Sequence, residues 1–402
     1  MRFSHTAAIL SSLASLVSAA SGLFDQSIRS DLLSLHKSLT SISSTSGNEH
    51  DVGRYLADYL VARGYKVHLQ PVKPYDNTSP GKDRLNVVAV KGTDSSKRRL
   101  LLTSHIDVVP PHIPYEIDDG EVTEETMIKG RGSVDAKASV ASMIIALEEL
   151  LAQDRVDPDD VMLAFVVGEE VNGDGMRAFG DFLSQSQPAI RFDAAIFGEP
   201  TENKLACGHK GGLFCSLTAK GVPGHSGYPW LGKSANEVAI RALAKVLDTN
   251  LGSSEQYGNT TVNIGRFDGG VAANVIPESA TIGMMVRVAI GPEKEGAVVV
   301  KERILKVLNE VDSEAFDLDC AQGYGFVGCD CNVDGFEKIV VNYGTDIPNL
   351  AGDHTRYLYG PGSILVAHGA NENITVGSLE AAVSDYQKLI LHALGTSKSE
   401  EL

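Results

Sequence analysis

From residue 24 onward the chain mixes two hydrophobic periods. Apolar residues recur every three to four positions over 24–40 (Ile28, Leu32, Leu33, Leu35, Leu39) and again over 51–63, stopping at Gly64. Both stretches predict amphipathic helices. Strands are predicted at 85–90, 100–103, 161–167 and 194–197, and helices at 134–151 and 176–183. Short apolar strands alternating with helices predict an α/β domain whose mostly parallel sheet is covered on both faces.

The texture changes near Gly211-Gly212. Residues 213–219 alternate as a strand, 235–247 form an amphipathic helix, 261–264 and 280–288 read as strands, 298–311 as a helix and 316–318 as a last strand. That β-α-β-β-α-β order is a ferredoxin-like split unit. The pattern from 336–341 onward is α/β again and ends in a helix at 379–394. The expected architecture is a discontinuous α/β domain (20–210 and 329–395) with an inserted α+β lid at 211–328 and a loose tail at 396–402.

Residues 1–19 read as a secretory signal: Arg2 gives the positive end, 7–17 the apolar stretch, and Val17-Ser18-Ala19 a small-residue cleavage site. A secreted, extracellular protein is expected. In that setting the sequons at Asn77, Asn259 and Asn373 become candidate glycan sites. The five cysteines, Cys207, Cys215, Cys320, Cys329 and Cys331, can then form disulfides, with at least one thiol left free or paired between chains. Cys329 and Cys331 lack a second pair or a nearby His, so a zinc site there is not expected.

Composition removes other classes. With 43% hydrophobic and 22% charged residues the chain is globular. Its 52 acids against 35 bases give a net charge of −17, which disfavours nucleic acid as a partner. Beyond the N-terminus no apolar run approaches the ~20 residues of a membrane helix. The stretch Glu170–Asp181 imitates a calcium loop, but it begins with Glu, ends with Asp and follows a strand.

Five segments carry candidate chemistry. They are Ser104-His105-Ile106-Asp107, Ser133-Val134-Asp135-Ala136-Lys137, Gly168-Glu169-Glu170, Gly198-Glu199-Pro200 and Ala367-His368-Gly369. Each has an ordinary explanation when taken singly: an exposed His, a solvated Glu pair, a helix cap. Most of them follow strands, however, and the carboxyl ends of strands in an open α/β sheet form the ligand crevice. Two imidazoles and several carboxylates meeting there suit zinc or a similar divalent ion. Five ligands suit two ions around a shared carboxylate. Glu169 and Glu170 are neighbours on opposite sides of an extended backbone, so one can ligate while the other serves as general base. Asp107, two residues from His105, can orient its imidazole.

These motifs, as an ordered set spanning nearly the whole chain after the signal, resemble the M20 family of metallopeptidases and deacylases. Lid segments such as Gly224-His225-Ser226-Gly227 and Ala273-Asn274-Val275 are similar as well. The resemblance implies two zinc ions per subunit. His105 and Glu199 would hold one, Glu170 and His368 the other, and Asp135 would bridge them. It makes Glu169 the general base and Asp107 the support of His105. It also implies a homodimer formed through the lid, with His225 reaching a neighbouring site to stabilise the oxyanion. Asn274, Arg287 and Arg356 become candidate substrate binders, with ordinary ion pairing the alternative for the two arginines. The segment before Arg356 follows the family pattern only loosely, and Ala138-Ser139 replaces the usual glycine pair. The implied function is a secreted zinc carboxypeptidase or dipeptidase cleaving an amide next to a free carboxylate. An N-acyl amino acid deacylase is the rival enzyme. A non-catalytic homologue is a third reading, against which the intact Glu169 argues.

Overall fold

The computed structural model describes residues 24–94 and 97–395. The expected signal (1–19) and tail (396–402) lie outside the described residues. The chain opens with helices α1 (Gln26–Ser41) and α2 (His50–Ala62). Asp25 caps α1 by accepting the amides of Ser27 and Ile28, and the helix turns Leu32, Leu35 and Leu39 inward.

The main-sheet strands are β1 (Lys66–Val72), β2 (Arg84–Val90), β3 (Leu100–His105), β4 (Val161–Val166), β5 (Ala194–Gly198) and β6 (Leu205–His209). Helix α3 (Lys137–Ala152) connects β3 to β4, and α4 (Asp174–Gln185) connects β4 to β5. The lid follows as β7 (Gly211–Lys220), α5 (Ala235–Asp248), β8 (Thr261–Gly269), β9 (Ser279–Val288), α6 (Gly296–Val311) and β10 (Phe316–Cys320). The chain then returns through β11 (Val327–Gly328), β12 (Lys338–Val341), β13 (Thr355–Tyr359) and α7 (Val376–Ala393).

In the large sheet the strands run β1-β2-β4-β3-β5-β13-β6-β11, with β12 also paired to β6. Its centre (β4, β3, β5, β13) is parallel, as expected. Its flanks are antiparallel, at β1–β2–β4 and at β13–β6–β11, so the sheet is mixed rather than mostly parallel. Of the antiparallel pairs only β1–β2 is a hairpin, whereas β3 is linked to its parallel neighbour β4 by the crossover helix α3. One face packs on α1, α2, α3 and α7 through residues such as Leu35, Leu56, Ile144 and Leu389. The other packs on α4 through Met176 and Phe179.

Strands β1, β6, β11 and β13 escaped the sequence reading. β1 is a half-exposed strand with Lys66, His68 and Gln70 between its apolar residues, and β13 opens on Thr355 and Arg356. Helix α3 starts at Lys137, later than expected, because 130–136 form the loop that holds Asp135.

The lid sheet is antiparallel in the order β8-β9-β7-β10, the ferredoxin-like arrangement, and has its own core. Two disulfides flank the passage between domains. Cys215–Cys320 joins neighbouring strands β7 and β10 on the lid side, and Cys207–Cys331 joins β6 to the returning chain on the other side. Cys329 is the free thiol among the described residues.

Candidate active site

The parallel strands β3, β4 and β5 end along one edge. His105 is the last residue of β3, Gly168-Glu169-Glu170 follows β4, and Glu199 follows β5. Asp135 arrives from the loop before α3, and its peptide with Ala136 is cis. His368 comes after a 3-10 turn at Ile364–Val366, with a left-handed φ of 62°. Segments far apart in the chain therefore converge at the crevice of the sheet.

Asp135 is the centre of the arrangement. Its Oδ1 lies 3.2 Å from Nε2 of His105 and its Oδ2 lies 3.2 Å from Nε2 of His368. His368 Nε2 is also 3.0 Å from Oε2 of Glu170, and His105 Nε2 is 3.8 Å from Oε1 of Glu199. One atom each from His105, Glu169 and Glu199 lies within 4.8 Å of the others, and the same holds for His105, Asp135 and Glu170. Nδ1 of His105 is 3.0 Å from the carbonyl oxygen of Asp107. Donating its hydrogen there leaves the Nε2 lone pair facing the acids.

The Asp107 carboxylate does more than face His105. It stands 3.6 Å from Nδ1 of His105, farther than the main-chain carbonyl. Its oxygens accept the amides of Glu169 (3.2 Å) and Glu170 (3.4 Å) and the hydroxyl of Ser46 (2.7 Å). Asp107 thus orients His105 through its backbone and fixes the Glu169–Glu170 turn through its side chain.

The cluster is short of positive charge. Burial pushes Glu170 up to about 7, with Asp135 adding to it. Burial likewise lifts Glu199 to about 7 against the pull of His105, and it raises Glu169 well above the carboxylate range, helped by Glu199. Burial also opposes ionisation of Asp135, but its bonds to His105 and His368 hold it below the usual range. Its bonds to Asp135 and Glu170 raise His368 to about 10. Two imidazoles cannot neutralise four facing carboxylates in a buried setting. A mixed N/O donor set drawn from His105, Asp135, Glu170, Glu199 and His368 fits divalent metal binding.

The remaining candidates lie elsewhere. His225 and Asn274 are exposed on the lid, where the carbonyl of Asn274 accepts the Ser226 amide and the His225 ring lies tilted at 60° to that of Tyr228. Arg356 is bonded to Glu293 of the lid at 2.7 Å, which is the ion-pair alternative. Arg287 sits at the domain junction, where a Cβ on Gly344 would come 3.5 Å from its Nη1. Asn77 and Asn259 are exposed; Asn373 is half-buried and donates to the Asn371 carbonyl.

Sequence reasoning gave no role to Glu372 or Ser46. The buried Glu372 accepts the amides of Gly132, Val134 and Asp135 and pairs with Arg131 at 2.6 Å. Its place four residues after His368 was visible, but its target was not. Nothing in the sequence marked Ser46.

Known proteins share this layout. A peptidase dimerisation domain model matches residues 207–315, the lid, and a peptidase family M28 model matches 86–208. A peptidase M20 domain-containing protein of Sordaria macrospora is 54% identical over 92% of this chain and 86% of its own length. A probable carboxypeptidase of Aspergillus oryzae is 46% identical over 91% of this chain and 88% of its own. The fold is shared with an M20 family metallo-carboxypeptidase from Sulfolobus solfataricus (TM-score 0.68, 17% identity, 90% of this chain and 99% of that one). It is shared too with a tripeptidase from Staphylococcus aureus (TM-score 0.71, 22% identity, 92% and 99%). Lid, crevice and relatives together define a two-domain metallopeptidase. The chain belongs to the M20 peptidase family.

Proposed function

We propose that the protein is a secreted zinc carboxypeptidase or dipeptidase that uses two cations and Glu169 as general base. The observation that carries this reading is Asp135, whose two oxygens face His105 and His368 at 3.2 Å each while Glu169 stands beside His105 and Glu199. When bound, two divalent cations supply Lewis acidity to the scissile carbonyl and lower the pKa of an attacking water. Glu169, placed beside His105 and Glu199, takes the proton from the attacking water and delivers it to the leaving amine. Asp107 keeps the turn carrying Glu169 in place. His225, exposed on the lid, is assigned to the oxyanion of a neighbouring copy's substrate. Arg287, at the junction, is assigned to the substrate's carboxylate.

Support for secretion comes from the N-terminal pattern and from two disulfides, which suit an oxidising compartment. The relatives named as probable carboxypeptidases favour a peptide substrate over an acyl amino acid. The test is a panel of dipeptides and N-acetyl amino acids assayed with wild type and Glu169→Gln, together with elemental analysis. Dipeptide cleavage that vanishes in Glu169→Gln with two zinc ions retained is the expected result. Normal turnover in the variant rejects the base assignment, and preference for the acyl substrates moves the protein to the deacylases.

A further inference from the structure

The loop from Gly168 to Gly173 carries both the base and a ligand, so its shape sets where Glu169 points. Every amide in it after Gly168 is bonded. Those of Glu169 and Glu170 go to Asp107, and those of Val171, Asn172 and Gly173 to the carbonyl of Gly168 at 3.4, 3.1 and 2.7 Å. Both end glycines have left-handed backbones, with φ of 78° and 69°.

Each end glycine is also pressed against a polar group. A Cβ on Gly168 would meet Asp174 Oδ1 at 2.2 Å, Arg84 Nη2 at 2.3 Å and Tyr75 Oη at 2.7 Å. A Cβ on Gly173 would meet Asn349 Nδ2 at 2.1 Å and Asp346 Oδ1 at 2.7 Å. The first grip is built on Arg84, whose side chain is fully buried. Arg84 donates to Asp174 at 2.7 Å and to the Lys73 carbonyl at 2.8 Å, pairs with Glu49 at 3.3 Å, and lies 3.6 Å over the ring of Tyr75. The Tyr75 hydroxyl donates to Asp174 at 2.8 Å and reaches Asn172 at 3.2 Å. The second grip comes from the returning part of the chain. Asn349 donates to Asp346 at 2.9 Å and accepts from Arg177 at 3.1 Å, and Arg177 also holds the Asn172 carbonyl.

We propose that these two grips fix the Gly168–Gly173 loop from opposite ends, which makes Tyr75 and Asn349 positioning residues for Glu169. This rests on the reading of Glu169 as general base. A loop closed on its own carbonyl can still pivot about its end glycines, and the grips remove that freedom. Misplacing a reacting group by an ångström is enough to slow chemistry without weakening substrate binding.

The test uses the full-length enzyme with its metal. Tyr75→Phe deletes one hydroxyl and Asn349→Ala removes the second grip, both at half-buried positions. Each is expected to lower kcat about 10- to 100-fold with KM held within about twofold. The folded fraction should stay at the wild-type value, and the loss of kcat should persist at saturating metal. Wild-type kcat in both single variants overturns the proposal. So does a loss that follows metal content or folded fraction. Glu169→Gln is assayed in parallel: its inactivity alongside fully active Tyr75→Phe and Asn349→Ala rejects the grips alone, and its activity rejects the underlying base assignment.

Discussion

Glu372 and Asp135 are 237 positions apart, yet Oε1 of the first accepts the amide of the second at 3.3 Å. The same oxygen takes the amides of Gly132 and Val134, and the other oxygen holds the buried Arg131. The carboxylate that faces both His105 and His368 is therefore placed by an acid in the His368 segment, so the two halves of the α/β domain set each other's geometry. Glu372→Ala leaves Arg131 buried without its partner, and a loss of about 3–5 kcal/mol in urea unfolding is expected. Metal affinity, measured by chelator competition, should fall about 10- to 100-fold in the folded fraction. Unchanged affinity would separate Glu372 from the centre.

Removing the metal should destabilise the protein. Without cations the carboxylates of Glu169, Glu170 and Glu199 face one another with only His105 and His368 opposed to them. A ligand that binds only the folded state adds about 2.7 kcal/mol at one hundred times its dissociation constant. A chelator should lower the thermal midpoint, and zinc should restore it. In Glu199→Gln the zinc-dependent rise should shrink, because one ligand is weakened. A chelator-insensitive midpoint in metal-loaded protein would contradict the assigned ligand set.

Much of this site was legible because its parts sit where the chain changes from strand to loop. His105, Glu169, Glu170 and Glu199 each end or follow a buried apolar strand, and buried strands announce themselves as continuous apolar runs. The ferredoxin-like lid was legible through a different signal: strand β9 alternates in burial along its length, and β7 does so from Leu213 onward. Half-exposed β1 and the polar start of β13 gave no such run. The pairing of Arg356 with Glu293 was hidden as well, since it joins two domains across 63 positions. Asp107 shows the limit most plainly: its spacing from His105 pointed to the imidazole, whereas its carboxylate spends its bonds on a turn more than 60 positions away.

The two arginines should behave differently. Arg356 is already paired with Glu293, both partly exposed, so Arg356→Ala and Glu293→Ala should each cost no more than about 1 kcal/mol. KM should stay within about twofold in both, as removing an exposed pair leaves uniform binding intact. Arg287→Ala should raise KM by at least about tenfold for peptides with a free carboxylate and leave amidated peptides unchanged, since a charge-assisted bond contributes about 1.5–3 kcal/mol. The comparison is a set of matched free and amidated dipeptides. A KM rise in Arg356→Ala confined to the free acids would reverse the assignment.

Acid should unfold the protein partly through two histidines outside the cluster. His36, on the buried face of α1, has its Nε2 2.8 Å from the Ser133 carbonyl, and burial lowers it to about 4. His209, bonded to Thr345 at the domain junction, is lowered to about 4 by burial as well. Both are neutral in the folded and unfolded states above the ordinary histidine value of about 6.5, so neither contributes to pH dependence there. Between 6.5 and 4 the unfolded chain binds protons that the folded one refuses, so stability falls as pH falls through that window, by about 3 kcal/mol per histidine in full. Urea unfolding of the metal-free protein at closely spaced pH values measures the slope. His36→Gln can keep the donor to Ser133 but cannot take up the proton, so its slope over this window should be shallower than wild type by one proton's worth. An identical slope would mean that His36 titrates alike in both states and that the buried environment assigned to it is wrong.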